Sequence, residues 1–507
     1  MIKNEGGVRQ DSVDKSTSEA DAEDMYRMGK DETLKRMFRQ FSMICFTSMV
    51  QATWEIILVS NTQGLTNGGM PGLFWSFIWT FTGFLPIVLS LAEMASMAPT
   101  SGGQYHWVSE FAPPKQQQFL SYCSGWLATL SWQAGGGGGS FLCSSVLQAI
   151  IISYDESYVP QPFHLTLLVI GMTCIYAFIN LGIPHHLPVI EQTMAFVHGL
   201  GWIVVVVVLA VLAPHPPAKD VFLNFTTYGW ENIGVSVLVG QVTSIYFLIL
   251  SDSAAHLSEE VKNASKSVPK AMLWSFTLNS LFGFIILITY LFSIDNVENA
   301  LNDPTFFPFF YVFRSATNIG TIPIAVVIVL VLIFANTGAN ASTSRQTFAF
   351  ARDHGLPFHK WISAVDPKSQ IPRNAVLLTC IITILLSLIN LGSLVAFNAI
   401  ISLQLMALMA TYSLSIGCVL YKRTLGDRNL PTARFSLGKH GVWINAIGLF
   451  YALWSLFWAA WPPFQEFSVD TFNWAPVMFV GVMTISLVLY YLGANKKYKG
   501  PVVLVRS

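Results

Sequence analysis

Long apolar stretches alternate with short polar ones along most of the chain, and this alternation predicts membrane-spanning helices. A helix needs about 20 mostly apolar residues to cross the hydrocarbon core of a bilayer. Windows of this kind predict twelve spans, numbered here in chain order, at 40–61, 71–95, 119–151, 163–182, 189–213, 235–257, 273–294, 322–348, 375–392, 395–421, 441–461 and 474–493. The pattern predicts an all-α integral membrane protein with twelve transmembrane helices.

The composition points to the same class of protein. Hydrophobic residues make up 53% of the chain and charged residues only 11%, whereas charged residues make up about a quarter of a typical soluble domain. The net charge is zero, and no basic stripe interleaved with aromatic residues marks a nucleic-acid surface. We therefore expect a lipid bilayer, and no nucleic acid, among the partners of this protein.

The basic residues give the spans an orientation. If twelve spans alternate in direction, all of the 28 lysines and arginines except Lys219 and Arg314 fall on the side of the two termini. Short cytoplasmic loops collect such residues, so both termini are predicted to be cytoplasmic. Residues 1–38 are polar and poor in large hydrophobes, which predicts a disordered N-terminal tail. A twelve-helix domain at 39–494 and a short C-terminal tail at 495–507 complete the predicted organisation.

Metal and cofactor chemistry leave no sign in the sequence. The six cysteines fall in apolar runs, without a CxxC motif or a histidine at metal-ligand spacing. The sequence also shows no pair of catalytic carboxylates and no nucleophile with its base. We expect no metal, no cofactor and no enzymatic activity.

Two of the predicted spans turn polar near their middle. Span 1 carries QATWE at 51–55, and span 6 carries LSDS at 250–253. Ionisable residues at membrane depth are functional candidates, and serine and threonine side chains tolerate an unwound helix. Two interrupted helices at equivalent places in two halves indicate an inverted-repeat secondary transporter. The alternative is that Glu55 and Asp252 pair with polar neighbours to hold helices together.

Three longer motifs carry a family resemblance. They read SDSAAHLSEEVKNASKSVPKAM at 251–272, EMASMAPTSGGQYHWVSEFAP at 93–113 and SRQTFAFARDHGLPF at 344–358. Over residues 35–495 the chain resembles the fungal amino-acid, choline and GABA permeases of the amino acid, polyamine and organocation superfamily. The resemblance implies a leucine-transporter type of fold, with five plus five inverted helices and two extra ones. It also implies secondary active transport of an amino acid or a related amine, such as choline, GABA or a polyamine, by alternating access.

The resemblance also implies a substrate site. In such proteins the substrate binds at the broken regions of spans 1 and 6, and spans 3, 8 and sometimes 10 close the site. Carried onto this chain, the resemblance implies the substrate-binding residues Thr53, Trp54, Glu55, Gln133, Ser251, Asp252, Asn336 and Asn340. A carboxylate beside a tryptophan suits an amine, through charge and cation–π attraction. Ser253 replaces the small glycine that is usual near the acid of span 6, which leaves the shape of that break open.

The candidate residues for ion coupling and for gating have two interpretations each. His198 in span 5 is a candidate proton carrier, because histidine titrates near physiological pH and a basic group in span 5 replaces a sodium ion in related carriers. Its alternative is a neutral packing histidine. Glu259 and Glu260, at the cytoplasmic end of span 6, are either an inner gate with breakable salt bridges or a solvated helix end paired with nearby lysines.

The run SWQAGGGGGS at 131–140 lies inside span 3. A solvated linker would leave backbone groups unsatisfied there, and a phosphate loop needs a preceding strand and a following lysine. Small residues let helices approach closely. We expect Gly135–Gly139 to form a smooth surface against span 1 or 8, or a wall that leaves room for a substrate.

Two questions stay open at the level of sequence. A non-transporting nutrient sensor is the alternative to a transporter, because such receptors share the carrier fold. The plasma membrane is the expected location, with the vacuolar membrane as the alternative. The substrate and the coupling ion are not specified, and protons are a candidate.

Overall fold

The computed structural model describes residues 19–155, 157–391, 396–426, 429–466, 468–469 and 471–505. Every predicted span corresponds to one helix or to a group of two or three helices, which confirms the all-α membrane fold. Spans 1 to 6 are Gln40–Gln51 with Thr53–Val59 and Thr62–Thr66, Gly69–Met97, Gln117–Tyr154, Pro162–Gly182, Leu187–Leu212, and Ile233–Tyr246 with Ser253–His256. Spans 7 to 12 are Ala264–Leu291, Thr321–Arg352, Arg373–Leu388, Ala396–Thr424, Gly441–Ala459 and Ala475–Leu489.

Short elements connect the spans. The helices among them are 19–27, Gln104–Phe111, Ala218–Phe222, Val297–Leu301, Pro308–Ala316, His359–Ile362 and Asn495–Lys497. Single 3₁₀ turns occupy Pro184–His186, Ser258–Glu260, Ile389–Leu391, Gly438–His440 and Pro501–Leu504, and a π-helical turn occupies Tyr490–Ala494. Two short strands, Asn67–Gly68 and Thr226–Thr227, pair antiparallel with Asn67 opposite Thr227.

Spans 1 and 6 are interrupted where the sequence predicts it. Ala52 separates the two halves of span 1 with a φ of 40°, and Leu250 lies in the broken stretch of span 6 with a φ of 73°. A left-handed backbone costs a residue other than glycine about 1–2 kcal/mol, and such strain persists only where the surroundings enforce it. The two breaks are therefore built features of the packed structure.

Span 7 supports the break in span 1. The Asn279 side-chain oxygen accepts a hydrogen bond of 3.4 Å from the Thr53 backbone N–H, and its amide donates one of 3.4 Å to Gln51 Oε1. The first bond satisfies a backbone N–H that the interrupted helix leaves without an intrahelical partner, and the second holds the Gln51 side chain at the end of the preceding half.

Residues 19–38 differ from the expected disordered tail. Residues 19–27 are helical, and the Met25 and Met28 side chains are buried against the rest of the protein. Phe38 forms a parallel bridge with Val261 just after span 6. The segment is ordered because it buries apolar side chains against the membrane domain, which composition alone does not reveal. The remaining part of the expected tail, residues 1–18, lies outside the described residues.

The same side of the molecule carries the C-terminal segment. Tyr498 is fully buried, and its hydroxyl bonds to Ser121 at the start of span 3. Within the predicted C-terminal tail, Tyr498, Gly500 and Pro501 are buried against this side, and residues 506–507 lie outside the described part. The side formed by residues 19–38, 97–117, 257–266 and 495–505 is called the terminal face below, and the other side the opposite face.

The five glycines continue the helix of span 3. A Cβ added at Gly137 would lie 2.7 Å from Leu386 of span 9, and one added at Gly139 would overlap the Asn336 amide of span 8. The predicted close contact with span 8 is present. The other neighbours of the glycine surface belong to spans 9 and 10 rather than span 1.

Candidate functional site

A narrow cavity of about 40 Å³ lies between the two helix breaks. Ala52 and Leu250, the two left-handed residues of the breaks, both line it. Gly135, Gly136 and Gly139 form part of the wall that span 3 contributes, and spans 8 and 10 close the remaining sides. These three glycines carry no side chains into the cavity, so the glycine run makes room at the level of the breaks.

The lining of the narrow cavity is uncharged. Its polar side chains are the amides of Gln51, Asn336 and Gln404 and the aromatic groups of Trp132 and Tyr246. Gln404 Oε1 and Trp132 Nε1 are buried and have no hydrogen-bond partner within the described chain. A buried polar atom without a partner costs about 1–3 kcal/mol, so a ligand that bonds these two atoms gains their unmet hydrogen bonds.

Of the predicted substrate-binding residues, Asn336 lines this cavity and the other seven do not. The three from span 1 are fully buried behind it. Glu55 Oε1 lies 2.8 Å from His198 Nδ1, and the Trp54 ring packs against the same histidine with 5.9 Å between ring centroids. The geometry of Glu55 therefore agrees with the alternative expectation, in which this acid pairs with a polar neighbour. The neighbour is His198, the predicted coupling residue.

The acid of span 6 is held from the terminal face. Gln104 donates a hydrogen bond of 2.7 Å to Asp252 Oδ2, and His256 Nε2 lies 3.6 Å from the same oxygen. Asp252 Oδ1 and the Ser251 hydroxyl oxygen are buried and make no hydrogen bond within the described structure, and the Tyr412 hydroxyl is a further polar neighbour of the Asp252 carboxylate. The Asp252 carboxylate thus lies outside the cavity lining, with one oxygen still able to accept a hydrogen bond.

The two remaining amides contact spans 8 and 9. The Gln133 amide donates to Thr347 and Thr379 at 3.0 and 3.2 Å, and the Asn340 amide donates to Cys380 Sγ at 3.6 Å. These bonds direct both side chains toward the interface of spans 3, 8 and 9. Trp132 on span 3 and Asn336 on span 8 are among the residues of these helices that line the cavity instead.

Glu259 and Glu260 are buried and paired with arginines of span 8. Arg352 donates two hydrogen bonds of 2.8 Å to the Glu259 carboxylate, and Arg345 Nε donates one of 2.6 Å to Glu260 Oε1. The two glutamates are only 3% and 0% exposed. The solvated-end alternative does not hold for them, because both carboxylates bridge span 6 to span 8 inside the terminal face.

More ion pairs extend this closure. Lys30 in the N-terminal segment bonds to Asp353, which also accepts a 2.9 Å hydrogen bond from the Tyr105 hydroxyl. Arg27 donates a 2.8 Å hydrogen bond to Glu110 in the loop between spans 2 and 3. The terminal face is thus closed by pairs that join four separate parts of the chain.

The opposite face is open in comparison. A wider cavity of about 620 Å³ begins where the narrow one ends and shares Leu142 and Tyr246 with it. Gln63, Gln148 and Asn390 supply part of its polar lining. The structure therefore shows a narrow central cavity that is approached from the opposite face and closed toward the terminal face.

Sequence reasoning missed Gln51, Trp132, Tyr246 and Gln404 in the lining of this site, and Asn279 behind it. Trp132 precedes the predicted Gln133, and only the helical phase of span 3 decides which of the two faces the cavity. Gln404 is an isolated amide within apolar span 10, and a scan for polar residues at membrane depth could have found it. Asn279 supports the break of span 1 from span 7, and no sequence signal linked the two helices.

Comparisons with known proteins agree with this architecture. The family model described as amino acid permease matches residues 37–486. A putative amino acid/polyamine transporter of Macrophomina phaseolina is 27% identical, with 85% of this chain and 96% of the relative covered. Amino-acid permease 2 of Neurospora crassa is 28% identical, with 96% and 90% covered, and a choline transporter of Saccharomyces cerevisiae is 25% identical, with 92% and 82% covered. The chain belongs to the amino acid permease family.

Proposed function

We propose that this permease moves a small amino acid or a related organic amine across a membrane by alternating access, with the narrow cavity as its substrate site. The observation that carries the proposal is the position of the cavity, which is lined by both left-handed break residues, Ala52 and Leu250. Transporters built from broken helices bind substrate where the interrupted segments meet. Nothing among the relatives favours the sensor alternative, since their names describe permeases and transporters.

The chemistry of the lining supports this class of substrate. The amides of Gln51, Asn336 and Gln404 offer both donors and acceptors, which suits a molecule with an amino group and a carboxylate or hydroxyl group. Trp132 and Tyr246 offer aromatic faces, which attract an ammonium group. The names of the relatives cover amino acids, polyamines and choline, and an ammonium group is common to all three. The small volume of the cavity favours a small substrate.

The predicted site residues take two roles in this proposal. Asn336 contacts the substrate directly. Thr53, Trp54, Glu55, Gln133, Ser251, Asp252 and Asn340 form the layer behind the cavity and hold its broken helices and walls in place. Asp252 keeps one unpartnered oxygen, so it is the member of this layer that a substrate amine would reach after a small movement of span 6.

The gate and the orientation follow from the closed terminal face. We propose that Glu259 and Glu260, with their arginines, form the inner gate, and that the terminal face is cytoplasmic in the plasma membrane. Arg345 and Arg352 on span 8 would separate from the two glutamates when the site opens inward. The concentration of basic residues on this side supports the orientation.

Counterflow exchange in liposomes tests the proposed function. Purified protein is reconstituted with radiolabelled alanine, glutamate, GABA, choline and spermidine, each in turn. We expect saturable exchange of at least one compound, with a raised KM in Asn336→Ala and Gln404→Ala. Gln116→Ala, at an exposed position before span 3, serves as the control. Saturable binding of a compound without exchange of any would instead support the non-transporting sensor.

A further inference from the structure

Glu191 in span 5 carries a buried carboxyl that the site described above does not use. The residue is 0% exposed, and both carboxyl oxygens lack a hydrogen-bond partner in the described structure. The other buried acids that the structure describes, such as Glu55, Asp252 and Glu259, each accept at least one hydrogen bond. Glu191 is therefore an acid held inside the protein with nothing to stabilise its charge.

The surroundings of Glu191 come from spans 1 and 8. A Cβ added at Gly338 would lie 3.3 Å from Glu191 Oε1 and 2.8 Å from Val50 Cγ2, with Phe46 at 3.2 Å. The carboxyl thus faces a glycine of span 8 and two apolar side chains of span 1. Cys45 of span 1 is the titratable group within electrostatic range. Spans 7 and 8 direct no charged side chain at the carboxyl within the described chain.

These neighbours decide the ionisation state. Burying an unpaired carboxylate in a low-dielectric interior is so costly that the group takes up a proton instead. A metal cation is a poor substitute, because hard cations need several oxygen ligands and the neighbours here are a glycine, a thiol and hydrocarbon groups. The described residues also contain no cluster of three potential metal ligands. A protonated carboxyl is the form that this packing accommodates.

The same neighbours connect Glu191 to the substrate cavity. Val50 lines the cavity, and so does Ala339, which follows Gly338 in span 8. Phe46 and Val50 both belong to Gln40–Gln51, the half of span 1 that ends at the Ala52 break. If this half moves at the break, the apolar cover of Glu191 is removed and water reaches the carboxyl.

We propose that Glu191 is the proton-binding site that couples this permease to a proton gradient. The carboxyl takes up one proton from water that enters through the narrow cavity beside Val50, holds it while Gln40–Gln51 covers the carboxyl, and gives it to water at the terminal face when the cover moves away. His198 lies about two turns further along the same helix and is already paired with Glu55, so the two positions have different tasks. The proposal rests on the proposed transport function.

A neutral variant separates coupling from transport. Wild type and Glu191→Gln are reconstituted in liposomes, and radiolabelled alanine, GABA and choline are tested for accumulation under an imposed pH gradient and for counterflow at equal pH. We expect Glu191→Gln, which resembles the protonated acid, to lose all accumulation above equilibration while it retains counterflow. Glu231→Gln, at an exposed position in the loop after span 5, should behave like the wild type. Undiminished accumulation by Glu191→Gln, or wild-type accumulation that follows a sodium gradient instead, would overturn the proposal.

A second measurement reads the carboxyl without any substrate. Infrared difference spectroscopy compares wild type with Glu191→Gln at neutral pH. The wild type should show the C=O absorption of a protonated carboxyl, and the variant should lack it. Identical spectra would refute the proton site even if transport itself is confirmed. Failure of all five compounds of the counterflow experiment to exchange would count against the proposed function, and the infrared result would still decide on Glu191.

Discussion

The Thr53 hydroxyl donates a hydrogen bond of 3.0 Å to the carbonyl oxygen of Phe247. Thr53 is the first residue after the break in span 1, and Phe247 is the first residue after Ile233–Tyr246 in span 6. Both residues are almost completely buried, at 0% and 1% exposure. One side chain therefore joins the two interrupted helices directly. A shift of the backbone at either break displaces the backbone at the other.

Replacing this hydroxyl should weaken the connection between the breaks. Thr53→Val keeps the shape of the side chain but leaves the Phe247 carbonyl without its donor, which costs about 1–3 kcal/mol. We expect a lower midpoint of thermal unfolding in detergent and a raised KM in counterflow. Thr53→Ser keeps the hydroxyl and should retain most of both properties. Equal behaviour of the two variants would show that packing, and not the hydrogen bond, matters at this position.

The glycine wall offers a matched pair of substitutions. A Cβ at Gly139 would overlap the Asn336 amide, whereas one at Gly138, which does not line the narrow cavity, would have its nearest neighbour, Ile400, at 3.5 Å. Gly139→Ala should therefore displace a lining residue of the cavity and strongly reduce exchange. Gly138→Ala should leave exchange intact and stabilise the helix by up to about 1 kcal/mol. Exchange rates and unfolding midpoints check both results, and equal loss in both variants would count against the structural account.

The buried pair of Glu55 and His198 should behave as a unit. Removing one partner leaves the buried polar group of the other without its hydrogen bond, which costs about 1–3 kcal/mol. We expect His198→Ala to destabilise the protein strongly and an added Glu55→Gln to recover part of the loss. Thermal unfolding of the single and double variants gives the coupling between the two residues. Purely additive effects would contradict a direct interaction.

The same variants test the predicted role of His198 in coupling. If uptake keeps its pH dependence in His198→Ala and loses it in Glu191→Gln, the proton site is Glu191. The reverse result would favour the original prediction for the histidine. The comparison is informative because the two residues lie on one helix and share the same membrane environment.

The Glu259 ion pair should be insensitive to pH near neutrality. Burial raises the pKa of Glu259, but Arg352 and the Ser101 N–H outweigh it and bring the pKa down from 4.5 to about 2. A carboxyl with a lowered pKa contributes stability above its unfolded pKa and loses the contribution as the pH falls toward the folded one. The stability difference between wild type and Glu259→Gln should therefore be constant at neutral pH and shrink only between pH 4.5 and about 2.

Unfolding midpoints measured across this pH range check the prediction. Glu32→Gln is the matched control, because Glu32 pairs with Arg36 but is 47% exposed. Exposed pairs contribute only about 0–1 kcal/mol, so this control should differ little from wild type at any pH. A Glu259 effect that disappears already near neutral pH would contradict the pairing with Arg352.

Sequence reasoning predicted the spans and both breaks because their physical causes are local. Twenty apolar residues make a spanning helix in any context, and QATWE and LSDS mark the places where two such helices change character. Family membership then followed from three motifs in the right order. The disordered tail was predicted for residues 19–38 because composition reports what a segment can bury by itself, and here the membrane domain supplies the surface.

The site residues were harder to predict because a sequence motif does not show toward which neighbouring helix each of its side chains points. Trp132 and Gln133 are adjacent, yet one reaches the cavity and the other bonds to spans 8 and 9. The burial of Glu191 could not be predicted from the sequence, because an acid near a helix end is usually solvated. Its isolation depends on where spans 1 and 8 lie. Such information is held in the tertiary packing and in no single stretch of sequence.

The wide cavity at the opposite face has no charged residue in its described lining. Long-range electrostatic attraction speeds the capture of charged ligands and fades as salt is added. The wide cavity is lined by amides, hydroxyls, aromatic rings and apolar groups, so it exerts little long-range attraction that salt could screen. The rate at which this permease captures its substrate should then be nearly the same in dilute and in concentrated salt, so that discrimination begins only inside, at the amides and the glycine wall.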